Sequence, residues 1–204
     1  MARFNDAKNI YWDNRFKRQT VKLLPGEFHT STNGEMIVTV LGSCVAACIR
    51  DKSTGIGGMN HFLLPIQASS TQSTPWPESY LNDDARYGDL AMELLINDII
   101  KRGGRRQYLE AKFFGGAQMF ESSLEIGQRN VAFVREYLTF ESISIRSHDV
   151  NGRYGRKVYF IPETGDVYVK RINNLHNSTI EERERKYLRD AQKERKDATI
   201  NFLN

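Results

Sequence analysis

The chain has 204 residues, 40% of them hydrophobic, and a formal net charge of +4 from 29 basic and 25 acidic side chains. That length suits one domain with extensions. No window nears the roughly 18 consecutive apolar residues of a membrane span, and the first residues hold no apolar run of signal-peptide length, so a cytoplasmic protein without membrane insertion is expected. With no block of about five or six Lys/Arg and no aromatic-basic signature, nucleic acid is not an expected partner. The two cysteines, Cys44 and Cys48, lie four apart in a short apolar run. On one strand they would be too far apart to bridge, so free thiols in a reducing compartment are expected. Two cysteines with scattered histidines give no zinc spacing, and neither a metal nor another cofactor is expected.

In chain order, residues 1–20 read as a polar N-terminal extension and residues 21–175 as the catalytic domain. LLPGEFHT opens the domain with an apolar pair and a Pro-Gly turn. MIVTVLGSCVAACIR reads as a strand, a glycine-containing elbow and a second strand; DKSTG is a turn and IGGMNHFLLP a third strand. Residues 67–82, QASSTQSTPWPESYLN, form a Ser/Thr/Pro-rich loop of unusual length, a functional candidate on that ground. A helix follows over about 85–102, with Leu90, Ala91, Leu94, Leu95 and Ile99 as its apolar face and Gly103-Gly104 as its stop. AKFFGGAQMF reads as a buried strand entering a glycine turn, and a second helix spans 127–138 with Val131, Val134 and Leu138 inward. SISIRSHDV, RKVYFIP and DVYVKRI are further strands. Residues 176–204 form a charged, helical tail: 13 of the 18 residues from Ile180 to Asp197 are charged, Ser178 and Glu181 match a capping box, and Tyr187, Leu188 and Ala191 leave only a thin apolar stripe.

The chemistry concentrates at Cys44 and His61. If DKST closes a hairpin with Asp51 paired to Thr54, the same register sets Cys44 opposite His61 on one face, with Cβ atoms about 4.5–5.5 Å apart; a one-residue slip would separate them. A free thiol is largely protonated at neutral pH, and a neighbouring imidazole can take its proton to make the nucleophile. Gly42 and Ser43 precede the cysteine, so backbone N–H groups at this elbow are candidates for an oxyanion hole, and glycine lets the chain turn tightly. Thr39 and Asn60 are candidates to orient the histidine, Thr39 being preferred. Cys48 fits simple core packing. His29, His148 and His176 have no comparable partner in the sequence.

At these residues the sequence resembles the chemoreceptor glutamine deamidase family, CheD. LGSCVAACIRDKSTGIGGMNHFLLP looks like that family's active-site block, and LPGEF, KFFGGAQMF, IGQRNVAFVREYL and GRKVYFIPETGDVYVKRI extend the likeness over roughly residues 11–172. The resemblance implies an α+β fold similar to the bacterial toxin deamidases, with mixed sheets packed together and flanking helices. It implies a protein-glutamine glutaminase that converts glutamine side chains of methyl-accepting chemotaxis receptors to glutamate. Cys44 would form an acyl-thioester, His61 would act as base, and Thr39 would be the third catalytic residue. The cytoplasmic domains of chemoreceptors are the implied partner, with a CheC-type phosphatase as a second; a monomer is expected because no long exposed apolar stripe is evident. DVNGRYGRKV and the charged tail depart from the family pattern. Two other readings of the same residues stand beside this one: a papain-like peptidase or acyltransferase, and a non-catalytic chemotaxis adaptor with Cys44 merely buried.

Overall fold

A computed structural model describes residues 5–7, 9–64, 83–118 and 124–172, together with residues 180, 182, 184–187 and 189 of the tail. The Ser/Thr/Pro-rich loop and the capping box at Ser178 and Glu181 lie outside the described residues, as do Leu188, Ala191 and His176. No described helix is long and apolar enough to cross a membrane. The strands are β1 (Asn5–Asp6), β2 (Asn9–Asp13), β3 (Arg18–Lys22), β4 (Glu27–Ser31), β5 (Met36–Leu41), β6 (Val45–Asp51), β7 (Gly57–His61), β8 (Leu109–Gly115), β9 (Ser144–Val150), β10 (Gly155–Ile161) and β11 (Asp166–Ile172). The long helices are α1 (Asp83–Lys101) and α2 (Leu124–Phe140).

The strands form two mixed sheets, one ordered β1-β4-β7-β6-β8-β9 and the other β11-β10-β5-β3-β2. Three pairings are parallel, β1 with β4, β8 with β9, and β3 with β5. The fold is α+β, with the first sheet sandwiched between the second sheet and the helices. Strand alternation builds both cores at once. Along β6, Val45, Ala47 and Ile49 join the helix-side cluster with Ala91, Leu95, Ile99, Val134 and Leu138. Cys44, Ala46 and Cys48 face the other way, into the inter-sheet cluster with Ile37, Leu41, Met59, Val158 and Phe160.

The helices match their expected spans, with one rotation. On α1 the buried stripe is Ala91, Met92, Leu95, Ile96 and Ile99, whereas Leu90 and Leu94 are only half-buried at its edge. Gly103, at φ +105°, ends the helix as expected, and the Gly103 and Gly104 amides donate to the carbonyls of Ile100 and Ile99. Part of the stretch expected as a polar extension is strand: β1 joins the first sheet, and β2 is an exposed edge strand of the second, paired to β3.

The β6–β7 register differs by two from that expected. Cys48 pairs with Met59, Ile49 with Gly58 and Arg50 with Gly57, and Val45 bridges to Phe62. The same register sets Ala46, not Cys44, opposite His61. The cause is the turn. Asp51 is not paired with Thr54; its amide donates to the Ile56 carbonyl, and its carboxylate accepts from the Ser53 and Thr54 amides and the Ser53 hydroxyl while Gly55 takes φ +76°. The slip is even, so Cys44 and His61 keep the same face.

Asp51 is fully buried, and its other oxygen accepts from the Arg105 amide at 2.9 Å. Burial works to raise its pKa, but the hydrogen bonds from Ser53, Arg105 and Thr54 outweigh burial and hold the carboxyl well below the usual carboxylate range. A depressed folded pKa stabilises the protein above the unfolded value of about 4 and loses that stabilisation as pH falls toward the folded value. Asp51→Asn is therefore expected to lower stability at neutral pH by about 1–3 kcal/mol in urea unfolding. The difference from the parent should shrink steadily below about pH 4.

Candidate active site

The chain leaves β5 in one sheet at Leu41 and enters β6 in the other at Val45. The three residues between them, Gly42, Ser43 and Cys44, have no strand partner, so their peptide groups must be satisfied elsewhere. Their carbonyls are all held on one side. The Gly42 carbonyl accepts from the Ala117 amide at 2.7 Å, and the Cys44 carbonyl accepts from the Gly116 amide at 2.8 Å. The Ser43 carbonyl accepts from Asn130 Nδ2 at 2.8 Å.

The glycines of KFFGGAQMF make this approach possible. Gly115 and Gly116 sit at φ +113° and +66°, and a Cβ on Gly115 would lie 2.1 Å from the Cys44 carbonyl oxygen. The tight-turn role expected of Gly42 falls instead to these two, since Gly42 is not at positive φ.

The three elbow amides converge on one carboxylate. Glu184 Oε1 accepts from the amides of Gly42 and Cys44, each at 3.0 Å. Its Oε2 accepts from the Ser43 amide at 3.0 Å and from the Ser43 hydroxyl at 2.6 Å. Glu184 comes from the C-terminal tail and is only 3% exposed.

His61 ends β7 on the inter-sheet side. Its Nδ1 lies 2.7 Å from Thr39 Oγ1, and that hydroxyl donates to the Leu23 carbonyl at 3.0 Å. With its only proton committed to Leu23, the Thr39 oxygen accepts from His61, which places the imidazole proton on Nδ1. Nε2 is left as a free acceptor, buried and without a partner among the described residues. A buried acceptor left unsatisfied is costly and marks a group reserved for something else.

Asn60, the other candidate to orient the ring, faces the helices. It accepts from the Ala47 amide and donates to the Ala91 carbonyl and the Met92 sulfur.

Electrostatics leaves the resting pair neutral. Burial pushes the Cys44 thiol well up, and the charge of Glu184 and its hydrogen bond with the thiol push it further. Burial alone pulls His61 down to about 3. Cys48 is also raised by burial and sits in the apolar core. A cleft lined by Leu23, Leu24, Pro25 and Val40 reaches His61 and Glu184. His148 lies outside this cluster, its ring 5.3 Å from that of Phe113 and its Nε2 3.4 Å from an Arg135 nitrogen. Among the described residues no group of three or more His, Cys, Asp or Glu is arranged to hold a metal ion.

Thr39 and His61 are thus brought into contact, Gly42, Ser43 and Cys44 share the Glu184 carboxylate, and one cleft reaches both His61 and Glu184. Two residues there were not singled out in the sequence. Glu184 is one. The other is Asn130 on α2, fully buried, which also accepts from the Leu64 amide at 2.9 Å and so ties the elbow to the segment after His61.

A thiol beside a backbone-amide cradle, and on the same inter-sheet side a buried imidazole held in one tautomer by a hydroxyl, define the class: an α+β protein with a buried thiol and a buried neutral imidazole between its two sheets. The CheD chemotactic sensory transduction family model matches residues 68–171. A relative from Methylobacillus flagellatus, named probable chemoreceptor glutamine deamidase CheD, is 50% identical over 89% of this chain and 88% of its own. A relative of the same name from a Janthinobacterium species is 47% identical over 91% and 90%. One from Shewanella oneidensis, named probable chemoreceptor glutamine deamidase CheD 1, is 49% identical over 88% and 85%. The chain belongs to the CheD family. Thr39, Cys44 and His61 precede the span matched by the family model, but an alignment covering 183 of 204 residues necessarily includes them.

Asn130→Ala would strip partners from the buried Leu64 amide and Ser43 carbonyl at once. It is expected to cost about 2–4 kcal/mol in urea unfolding.

Proposed function

We propose that this protein is a protein-glutamine glutaminase that hydrolyses glutamine side-chain amides of chemoreceptors to glutamate, with Cys44 as nucleophile. The substrate class rests on the names of the CheD relatives. The observation that carries the mechanism is the Thr39–His61 contact, which leaves Nε2 without a partner among the described residues and so able to accept a proton.

In this reading His61 Nε2 takes the thiol proton as Sγ attacks the amide carbon. His61, held neutral by burial, is able to accept that proton. The developing oxyanion is received by the amides of Gly42, Ser43 and Cys44, which converge on one point and are free to take it once the Glu184 carboxylate leaves them. The carbon–nitrogen bond breaks and ammonia leaves with the proton carried by His61, leaving an acyl-thioester. Water, activated by the same imidazole, then attacks the thioester; the carbon–sulfur bond breaks, glutamate departs and the thiol regains its proton.

In this reading the partner is the cytoplasmic domain of a receptor, the protein works in the cytoplasm, and it acts as a monomer. The family resemblance supports a CheC-type phosphatase as a second partner. Thr39 acts through His61 as a positioning residue.

Incubation with a cytoplasmic receptor fragment, followed by mass spectrometry, should show glutamine-to-glutamate conversion with the receptor chain intact. Cys44→Ala and His61→Ala should abolish it. Cleaved receptor would favour a peptidase, and undiminished conversion by Cys44→Ala would remove the thiol mechanism. Thr39→Val should lower kcat about tenfold to a hundredfold with little change in KM, and Thr39→Ser should retain most activity.

A further inference from the structure

Ile180, Glu184 and Tyr187 are helical and spaced four and three apart, so they share one face of the tail. All three are seated on the catalytic domain. Ile180 packs against Gly155, where an added Cβ would come 3.0 Å from Ile180 Cδ1. The Tyr187 ring lies on Gly26, where a Cβ would fall 2.8 Å from Cε2, and it joins the edge of the inter-sheet core. Gly26 takes φ +82°, so it is both the conformation and the bare surface that admit the ring. Between these anchors Glu184 enters the elbow cradle, whereas Glu182, Arg185, Lys186 and Arg189 stay exposed.

The carboxylate of Glu184 takes all three elbow amides, the Ser43 hydroxyl and a hydrogen bond with the Cys44 thiol. Those are the donors available to an oxyanion beside the nucleophile. A glutamate side chain is also what hydrolysis of a glutamine amide leaves behind. We propose that the C-terminal tail inhibits the enzyme in cis, with Glu184 bound in the active site as a mimic of the product side chain.

This inference rests on the reading of Cys44 and His61 as the catalytic pair. The tail must leave before a substrate glutamine can enter. Its departure uncovers Cys44, which is fully buried at rest, and removes the negative charge beside the thiol.

The chemistry of a Glu184→Gln protein follows directly. The introduced amide sits where a substrate amide would, so the elbow is expected to hydrolyse it: Cys44 Sγ bonds to the side-chain carbonyl carbon, ammonia leaves, and water releases the thioester to regenerate glutamate at position 184. The parent sequence is restored.

Two measurements on the whole 204-residue chain test this. The first is the rate of Cys44 alkylation by iodoacetamide, read by peptide mass spectrometry with buried Cys48 as internal reference. It needs neither receptor nor turnover. Glu184→Ala should raise the rate about tenfold or more, as expected from losing several charge-assisted hydrogen bonds. Tyr187→Ala, which leaves every elbow residue in place, should raise it in the same direction. Cys44 alkylation at the parent rate in both variants would overturn the proposal whether or not the protein deamidates receptors. The second is the mass of the tail peptide from Glu184→Gln protein during incubation. Conversion to the acid, abolished by adding Cys44→Ala, supports the product-like pose. An intact amide in a preparation that converts receptor glutamines contradicts that pose and leaves the deamidase reading standing.

Discussion

The site depends on one constraint: the chain must cross from one sheet to the other in three residues. Gly42, Ser43 and Cys44 make that crossing, and none of them can use a strand ladder for its peptide groups. Buried backbone groups are almost always paired. Here the carbonyls are taken by Gly116, Ala117 and Asn130, and the amides are thereby turned together toward the pocket. For two of the three amides the cradle follows from satisfying the other half of the peptide: the Gly42 and Ser43 carbonyls share their planes with the Ser43 and Cys44 amides. Cys44 sits at its rim because it is the last residue before the ladder resumes.

The same two-sheet arrangement brings the histidine its partner. Thr39 lies on β5 of one sheet and His61 on β7 of the other, and their contact spans the inter-sheet layer. Leu23 holds the threonine hydroxyl from the chain just beyond β3. Three separate stretches of chain therefore fix one imidazole tautomer, in surroundings apolar enough to keep the ring neutral. The opposite face of the first sheet, packed on α1 and α2, is ordinary apolar core and supplies the rigidity.

Much of this was legible in the sequence where hydrophobic period decides structure. The strands around the elbow, both long helices and the three late strands follow from period and from glycine stops. The register of the β6–β7 hairpin did not, because the Asp51 side chain and Gly55 lengthen the turn; the face survived because the error was two residues and not one. Gly42 looked like the essential glycine, yet the positive-φ demand falls on Gly115 and Gly116, some seventy residues away in sequence. Asn130 had a readable signal: it sits midway between Ile126 and Val134 on the apolar face of α2, a polar residue where the helical period calls for an apolar one. Glu184 had almost none. In a run where most residues are charged, only its spacing from Ile180 and Tyr187 separates it from its neighbours, and its buried partners lie about 140 positions earlier.

Catalysis in this reading requires Cys44 Sγ to become covalently attached to the substrate. The most direct measurement is to mix the protein with a receptor fragment, quench in acid within the first turnovers and map the covalent species by mass spectrometry. A thioester joining a receptor glutamyl side chain to the Cys44 peptide, released by hydroxylamine and lost in Cys44→Ala, is the expected result. An adduct at Cys48, or conversion of receptor glutamines by a protein lacking Cys44, would contradict it.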